Sequence, residues 1–234
     1  MELLKIEFLK LKKSSLLFIA LVIPIAIVLI FIKKAQSFTL KGLGINEVIV
    51  MFSSITFIAL ALPLLNIFTT CLITKVENDN NGWKLLMLMP IKKSSIYFSK
   101  YKIMILTLAS SIAAYLFSII LSGFFISKKI DLSILVLGIE IFITSLSVII
   151  LLFIIGRNFI SIIPVISVGV IMMITNIFIA QSRFWIYAPW TYPLSITGGA
   201  ITTTERYIAI GISLILSFLL FSIDYLRFKK SDIM

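Results

Sequence analysis

Long unbroken apolar runs constrain this chain more than any other feature. A membrane-spanning helix needs roughly 17–25 mostly apolar residues. Six such runs occur, at 16–32, 48–73, 103–126, 132–155, 159–180 and 207–223. They are continuous rather than alternating, so they read as helices and not as outer-membrane strands, which alternate over about ten positions. Pro24, Pro63 and Pro164 fall inside three runs, where neighbouring helices can satisfy the carbonyls that proline frees. Composition agrees: 60% of the residues are hydrophobic and 13% charged, and the mean hydropathy is +1.16. Disorder is excluded, because it requires low hydrophobicity. The expected fold is all-α, a single polytopic domain over 1–234. The first run reads as a retained anchor rather than a cleaved signal peptide.

The chain has one cysteine, Cys71, and no histidine. Intramolecular disulfides and His-dependent catalytic or zinc sites are therefore excluded. No G-x-x-x-x-G-K-[ST] occurs, so the chain carries no P-loop. No paired-carboxylate site or metal cluster stands out, and no cofactor is expected in this chain. The net charge is +11. Its basic residues lie in the short gaps between apolar runs, which points to membrane lipids rather than nucleic acid. The gaps assigned to the side of the two termini hold fourteen Lys and Arg, and the opposite gaps hold seven. The positive-inside rule then places both termini in the cytoplasm.

Three polar segments and one buried acid are candidates for function. In 1–14, Leu4, Phe8 and Leu11 share a helical face that Glu7 partly interrupts. The stretch reads as an interfacial helix or as a plain basic flank. The second gap, 74–102, lies on the cytoplasmic side. Glu77, Asn78, Asp79 and Asn80 can start a helix there. Trp83, Leu86, Met87 and Pro90 follow at i, i+3, i+4 and i+7, and Pro90 ends it. This stripe needs cover, either from a groove on a partner protein or from the bilayer surface. Before the last run, Phe184, Trp185, Tyr187, Trp190 and Tyr192 crowd nine positions with Pro189 and Pro193. That pattern fits a re-entrant segment or an interfacial aromatic belt. Glu140 lies inside the fourth run, where an ionisable group is costly and marks a candidate site. It lines a path for a cationic substrate, serves as a structural partner to Asn66, Asn176 or a backbone group, or is simply a protonated, quiet carboxyl. Arg157 reads as a topology determinant and Cys71 as packing.

The stretch E-N-D-N-N-G-W-K-L-L-M-L-M-P-I-K-K-S-S-I-Y-F-S-K, from Glu77 to Lys100, resembles the loop motif of permease subunits of type-2 ABC exporters. Glu77, Gly82, Leu86, Pro90, Ile91, Lys92 and Lys100 occupy its matching positions. The basic N-terminal L-L-K-I-E-F-L-K-L-K-K-S and the tail F-K-K-S-D-I are similar as well. Small size and the P-W-T-Y-P segment make the chain similar to lantibiotic-immunity permeases of Gram-positive bacteria, the nisin, epidermin and mutacin type. The resemblance implies a bacterial plasma-membrane permease without its own ATPase site. Its partners would be two copies of an ATPase carrying ATP and Mg, and a second permease chain, alike or different. The cargo would be a cationic amphipathic peptide expelled for self-protection. Glu77, Gly82, Trp83, Leu86, Met87 and Pro90 would couple the ATPase. Glu140, Trp185, Tyr187, Trp190 and Tyr192 would contact substrate. The alternatives are export of other cytolytic peptides or peptide antibiotics, and a membrane enzyme or non-transporting assembly protein.

Overall fold

The structure, a computed structural model, describes residues 15–35, 44–79, 82–88, 90–128, 133–198 and 201–230. The expected interfacial helix over 1–14 lies outside these residues, and so do the side chains of Lys84 and Met87. The described residues are helical almost throughout and contain no strand. In chain order they form α1 (Leu16–Ala35), α2 (Ile45–Thr56), a π-helical turn (Phe57–Ala61), α3 (Leu62–Asn78), α4 (Gly82–Leu88), α5 (Lys93–Ser127), α6 (Ser133–Asn158) and α7 (Ile163–Ile179). Two single 3₁₀ turns (Trp185–Tyr187 and Pro189–Thr191), α8 (Tyr192–Thr197) and α9 (Thr203–Lys230) complete the chain.

Among the described residues, five helices are long and apolar enough to cross a membrane: Leu16–Lys34, Ile45–Asn78, Lys93–Ile126, Ser133–Asn158 and Thr203–Lys230. The fifth expected span, 159–180, is a shorter apolar helix of 17 residues, Ile163–Ile179. Residues 159–162 are unwound, with Pro164 in the first turn of α7, where its missing N–H costs nothing. Two helices outrun the expected spans. Ile45–Asn78 covers 34 residues, about 50 Å at 1.5 Å per residue, against a hydrocarbon core of about 30 Å. Expected to end at 73, it continues to Asn78. The next helix begins at Lys93 instead of 103. The gap between the second and third runs is therefore mostly helical stem, with α4 at its tip.

The π turn has a local cause. Pro63 has no N–H to give the Ala59 carbonyl, and its ring presses on that carbonyl. Widening the preceding turn relieves the clash, and the Leu62 N–H reaches back to Phe57 O, one residue beyond the α-helical partner. The turn is anchored by Phe57 stacked on Tyr115 of α5, centroids 4.4 Å apart.

Where two helices must meet closely, glycine lies between them. A Cβ on Gly169 of α7 would stand 2.3 Å from Ile67 Cγ1 of α3. A Cβ on Gly156 of α6 would stand 2.7 Å from Thr74 Cγ2. Helices in lipid gain little from hydrophobic exclusion, so contact of this kind is what holds them. Cys71 is buried beside them with Ile67, Leu152 and Val165. Outward positions such as Phe18, Ile139, Phe178 and Phe218 are exposed and apolar, as a lipid-facing surface requires. Charged side chains gather at the two ends of the bundle: the N-terminal end, where α1 begins, and the far end, where α1 finishes.

Candidate functional site

At the N-terminal end, α3 and α5 form the two legs of a hairpin that carries α4. Glu77 closes α3, and Lys100 lies two turns into α5. The Lys100 ammonium donates to Glu77 Oε1 at 2.7 Å, with the lysine side chain fully buried and the glutamate 3% exposed. Gly82 starts α4 directly against this pair. A Cβ there would stand 2.8 Å from the Glu77 carbonyl oxygen and 3.0 Å from its Cα. The turn into α4 is thus as tight as the backbone permits.

Asn78 ties α4 to the rest of the protein. Its Oδ1 accepts from Trp83 Nε1 at 2.7 Å. Its Nδ2 donates to the carbonyls of Gly156 and Phe159, at 3.0 and 2.8 Å. These carbonyls lie at the unwound α6–α7 connection, where helical partners run out. Lys100 Nζ sits 5.3 Å from the centroid of the Trp83 ring, within cation–π range. The same ring meets Phe228 of α9 edge-on, centroids 6.0 Å apart. Leu86 is buried, whereas Leu85 and Leu88 are exposed. The expected docking stripe therefore divides. Trp83 and Leu86 face the protein, the Met87 side chain lies outside the described residues, Pro90 is exposed, and Leu85 and Leu88 face outward.

A second polar knot adjoins the first. Arg157, at the end of α6, forms an ion pair with Asp224 of α9. Asp224 Oδ2 also accepts from the Tyr97 hydroxyl at 2.8 Å, and the Tyr97 oxygen lies 3.1 Å from the Tyr101 hydroxyl, which can donate to it. The Arg157 guanidinium lies over Phe228, 5.5 Å from its centroid, so Phe228 touches both α4 and the α6 terminus. Sequence reasoning gave Arg157 only a topological role, read Asn78 as part of a helix start although it ends α3, and passed over Asp224 and Tyr97. An acid in an otherwise basic C-terminal stretch was the available signal, but its partner lies 67 residues away.

At the far end Glu140 is buried, and its partner is Arg206 of α9. Arg206 Nε donates to Glu140 Oε2 at 2.9 Å, and Nη2 contacts the same oxygen. Neither Asn66 nor Asn176 is its partner; both are buried. Glu140 and Arg206 line a cavity of about 570 Å³, bounded also by Asn46 and Glu47 of α2, Ile120 of α5 and Leu137 of α6.

The aromatic segment folds against the inner side of that wall. Trp185 and Tyr192 are buried with Ile196 and Ala209, and Leu137 packs on them. Trp190 Nε1 donates to Thr175 Oγ1 at 3.1 Å. Tyr187 is exposed. Glu140 thus lines the cavity, and these four aromatics do not. α8 approaches the π turn, which begins 12 residues into its helix, about 18 Å from its far end. This is the position a re-entrant segment would take. Its broken backbone finds local partners: Thr191 Oγ1 lies within reach of the carbonyls of Ala188 and Trp185, at 2.8 and 3.0 Å, and can donate to either, and the Tyr192 hydroxyl donates to Ile186 O at 2.5 Å. Among the described residues, no group of three or more His, Cys, Asp or Glu side chains is placed to hold a metal ion.

Helices long and apolar enough to span a membrane, with a helical hairpin at one end of the bundle, define an all-α polytopic membrane protein. The family model of ABC-2 family transporter proteins matches residues 3–182, and the chain belongs to that family. It is the transmembrane component of an ABC transporter, in a family that leaves the ATPase site to a partner. No curated protein matches the chain. No solved structure matches it either.

Proposed function

We propose that this permease expels a cationic amphipathic antimicrobial peptide, of the lantibiotic kind, from a bacterial plasma membrane for self-protection. Two copies of a separate ATPase, binding ATP and Mg, drive it, and a second permease chain completes the complex. The N-terminal end of the bundle, with both termini, faces the cytoplasm. The observation that carries this reading is the α3–α4–α5 hairpin. It runs past the bilayer thickness, is locked by a buried ion pair and presents two unpaired leucines, Leu85 and Leu88, at its tip.

The ATPase grips that tip. Leu85 and Leu88 are the docking contacts, with Met87 and Pro90 beside them. Glu77, Gly82, Trp83 and Leu86 keep α4 from moving alone. A push on α4 reaches α9 through Trp83 and Phe228, and the α6–α7 turn through Asn78. The helices that carry Glu140 and Arg206 at the far end are the ones pushed. Substrate contact is assigned to Glu140, with Trp185, Tyr187, Trp190 and Tyr192 shaping the adjoining wall and rim.

The test is Leu85→Glu with Leu88→Glu. Both residues are exposed, so the chain should insert and fold normally while losing co-purification with the ATPase and protection against the peptide. Unchanged co-purification and protection would remove the docking assignment.

A further inference from the structure

The cavity at the far end has a composition suited to one kind of guest. Its upper wall is apolar, with Val50, Ile119, Ile134 and Val136. Among the described residues its charged groups are Glu47, Glu140 and Arg206, a net charge of −1. Glu47 is exposed at the first turn of α2, and its Oε2 accepts the Gly44 N–H at 3.2 Å. Glu140 lies seven residues into α6, about 10 Å from the start of that helix. Asn46 Oδ1 is buried without a hydrogen-bond partner among the described residues. Arg206 meets Glu140 through Oε2 alone, and Oε1 accepts no hydrogen bond among the described residues. The site therefore holds surplus acceptors and a surplus negative charge in a low-dielectric setting, and a buried acceptor left unmade is costly.

Arg206 is the movable member. Its side chain is 33% exposed, against 11% for Glu140. An arginine at a helix start can keep its stem on apolar surface and turn its head to water. Glu140 cannot follow.

We propose that the cavity receives the ammonium group of a lysine-type side chain on an amphipathic peptide, and that Arg206 occupies Glu140 as a stand-in until the peptide displaces it. This deepens the exporter reading and rests on it for the role of the guest. About 570 Å³ lies within the range of small-ligand pockets; it holds one or two side chains, not a folded peptide. The apolar wall takes the neighbouring aliphatic residue. An amine-headgroup lipid is disfavoured, because its phosphate would lie against Glu47 and Glu140. Exchange of one cation for another keeps the Glu140 carboxylate paired throughout. Release of Arg206 frees the far end of α9, whose other end touches α4 through Phe228.

The test uses the full chain in phosphatidylcholine nanodiscs, without the ATPase. The probe is a fluorescein-labelled Leu/Lys amphipathic peptide, read against empty nanodiscs and against the same peptide with its lysines acetylated. Glu140→Gln should weaken specific binding about tenfold, the loss of one charge-assisted hydrogen bond. Glu47→Gln, at an exposed position with little risk to folding, should weaken it severalfold. Arg206→Gln should tighten it, because the competitor is gone. A purely structural Glu140–Arg206 pair predicts that Arg206→Gln and Glu140→Gln weaken binding alike, and that result overturns the proposal. So does equal binding of the acetylated peptide, or displacement of the probe by phosphatidylethanolamine. Where the two pair variants fail to fold, Glu47→Gln decides: unchanged affinity overturns the proposal. Opposite-signed effects at Arg206 and Glu140 with no protection in cells would leave the cavity assignment standing and remove the exporter reading alone.

Discussion

Consider Lys100→Met. The change removes the cation from a fully buried site and leaves the Glu77 carboxylate, 3% exposed, beneath the Gly82 turn. Breaking one partner of a buried ion pair typically costs ~3–5 kcal/mol, because the survivor stays charged and desolvated. Losing the ammonium above Trp83 adds up to about 1 kcal/mol. The damage falls on the hairpin stem, where α3 and α5 have left their expected spans, rather than on the bundle core. Opening of the stem should therefore increase by at least two orders of magnitude, each factor of ten being about 1.4 kcal/mol. Hydrogen exchange of the amides at 93–102 reads this directly, since local opening free energy sets protection. Adding Glu77→Leu to Lys100→Met should restore most of the protection, because replacing both charges by apolar groups is often neutral. About 1 kcal/mol should stay lost with the Trp83 contact. Protection unchanged in Lys100→Met would refute the reasoning, and so would a double variant no better than the single one.

Three further outcomes follow from the same geometry. Asp224→Asn removes the charge that holds Arg157 and the acceptor for Tyr97; the detergent-solubilised protein should lose several kcal/mol, whereas Tyr97→Phe should lose only about 1 kcal/mol, both read by thermal unfolding. Gly82→Ala brings a methyl to 2.8 Å from the Glu77 carbonyl oxygen, so α4 must shift; a single cysteine placed at 85 should then label faster and ATPase co-purification should fall. Gly169→Ile forces α7 off Ile67 and should cost ~1–3 kcal/mol, as overpacking does, while Gly211→Ile, at a position with nothing within 4 Å, should cost far less.

The ends of the bundle separate what was legible in the chain from what was not. Hydropathy alone located the helices that cross the membrane, because in lipid every backbone group must be satisfied within the helix and only a long apolar run can do that. The short helix tipped by Gly82–Leu88, the break at Pro189 and the buried acid at 140 were equally visible, since each breaks the apolar pattern at one point in the chain. The i, i+3, i+4 spacing could show that Trp83 and Leu86 share a face, but not that this face turns inward onto Lys100 and Phe228. Nor could it show that Leu85 and Leu88 are the side left open. The helical stems at 74–78 and 93–102 are polar enough to pass for loop; pairing Glu77 with Lys100 across them makes helix the better state. The partners of Glu140, Arg157 and Asn78 come from elements 66, 67 and 78 residues distant. Local composition fixes how much charge a membrane chain carries, whereas the packing of helices far apart in sequence decides which charges neutralise one another, and so where acceptors are left over for a guest.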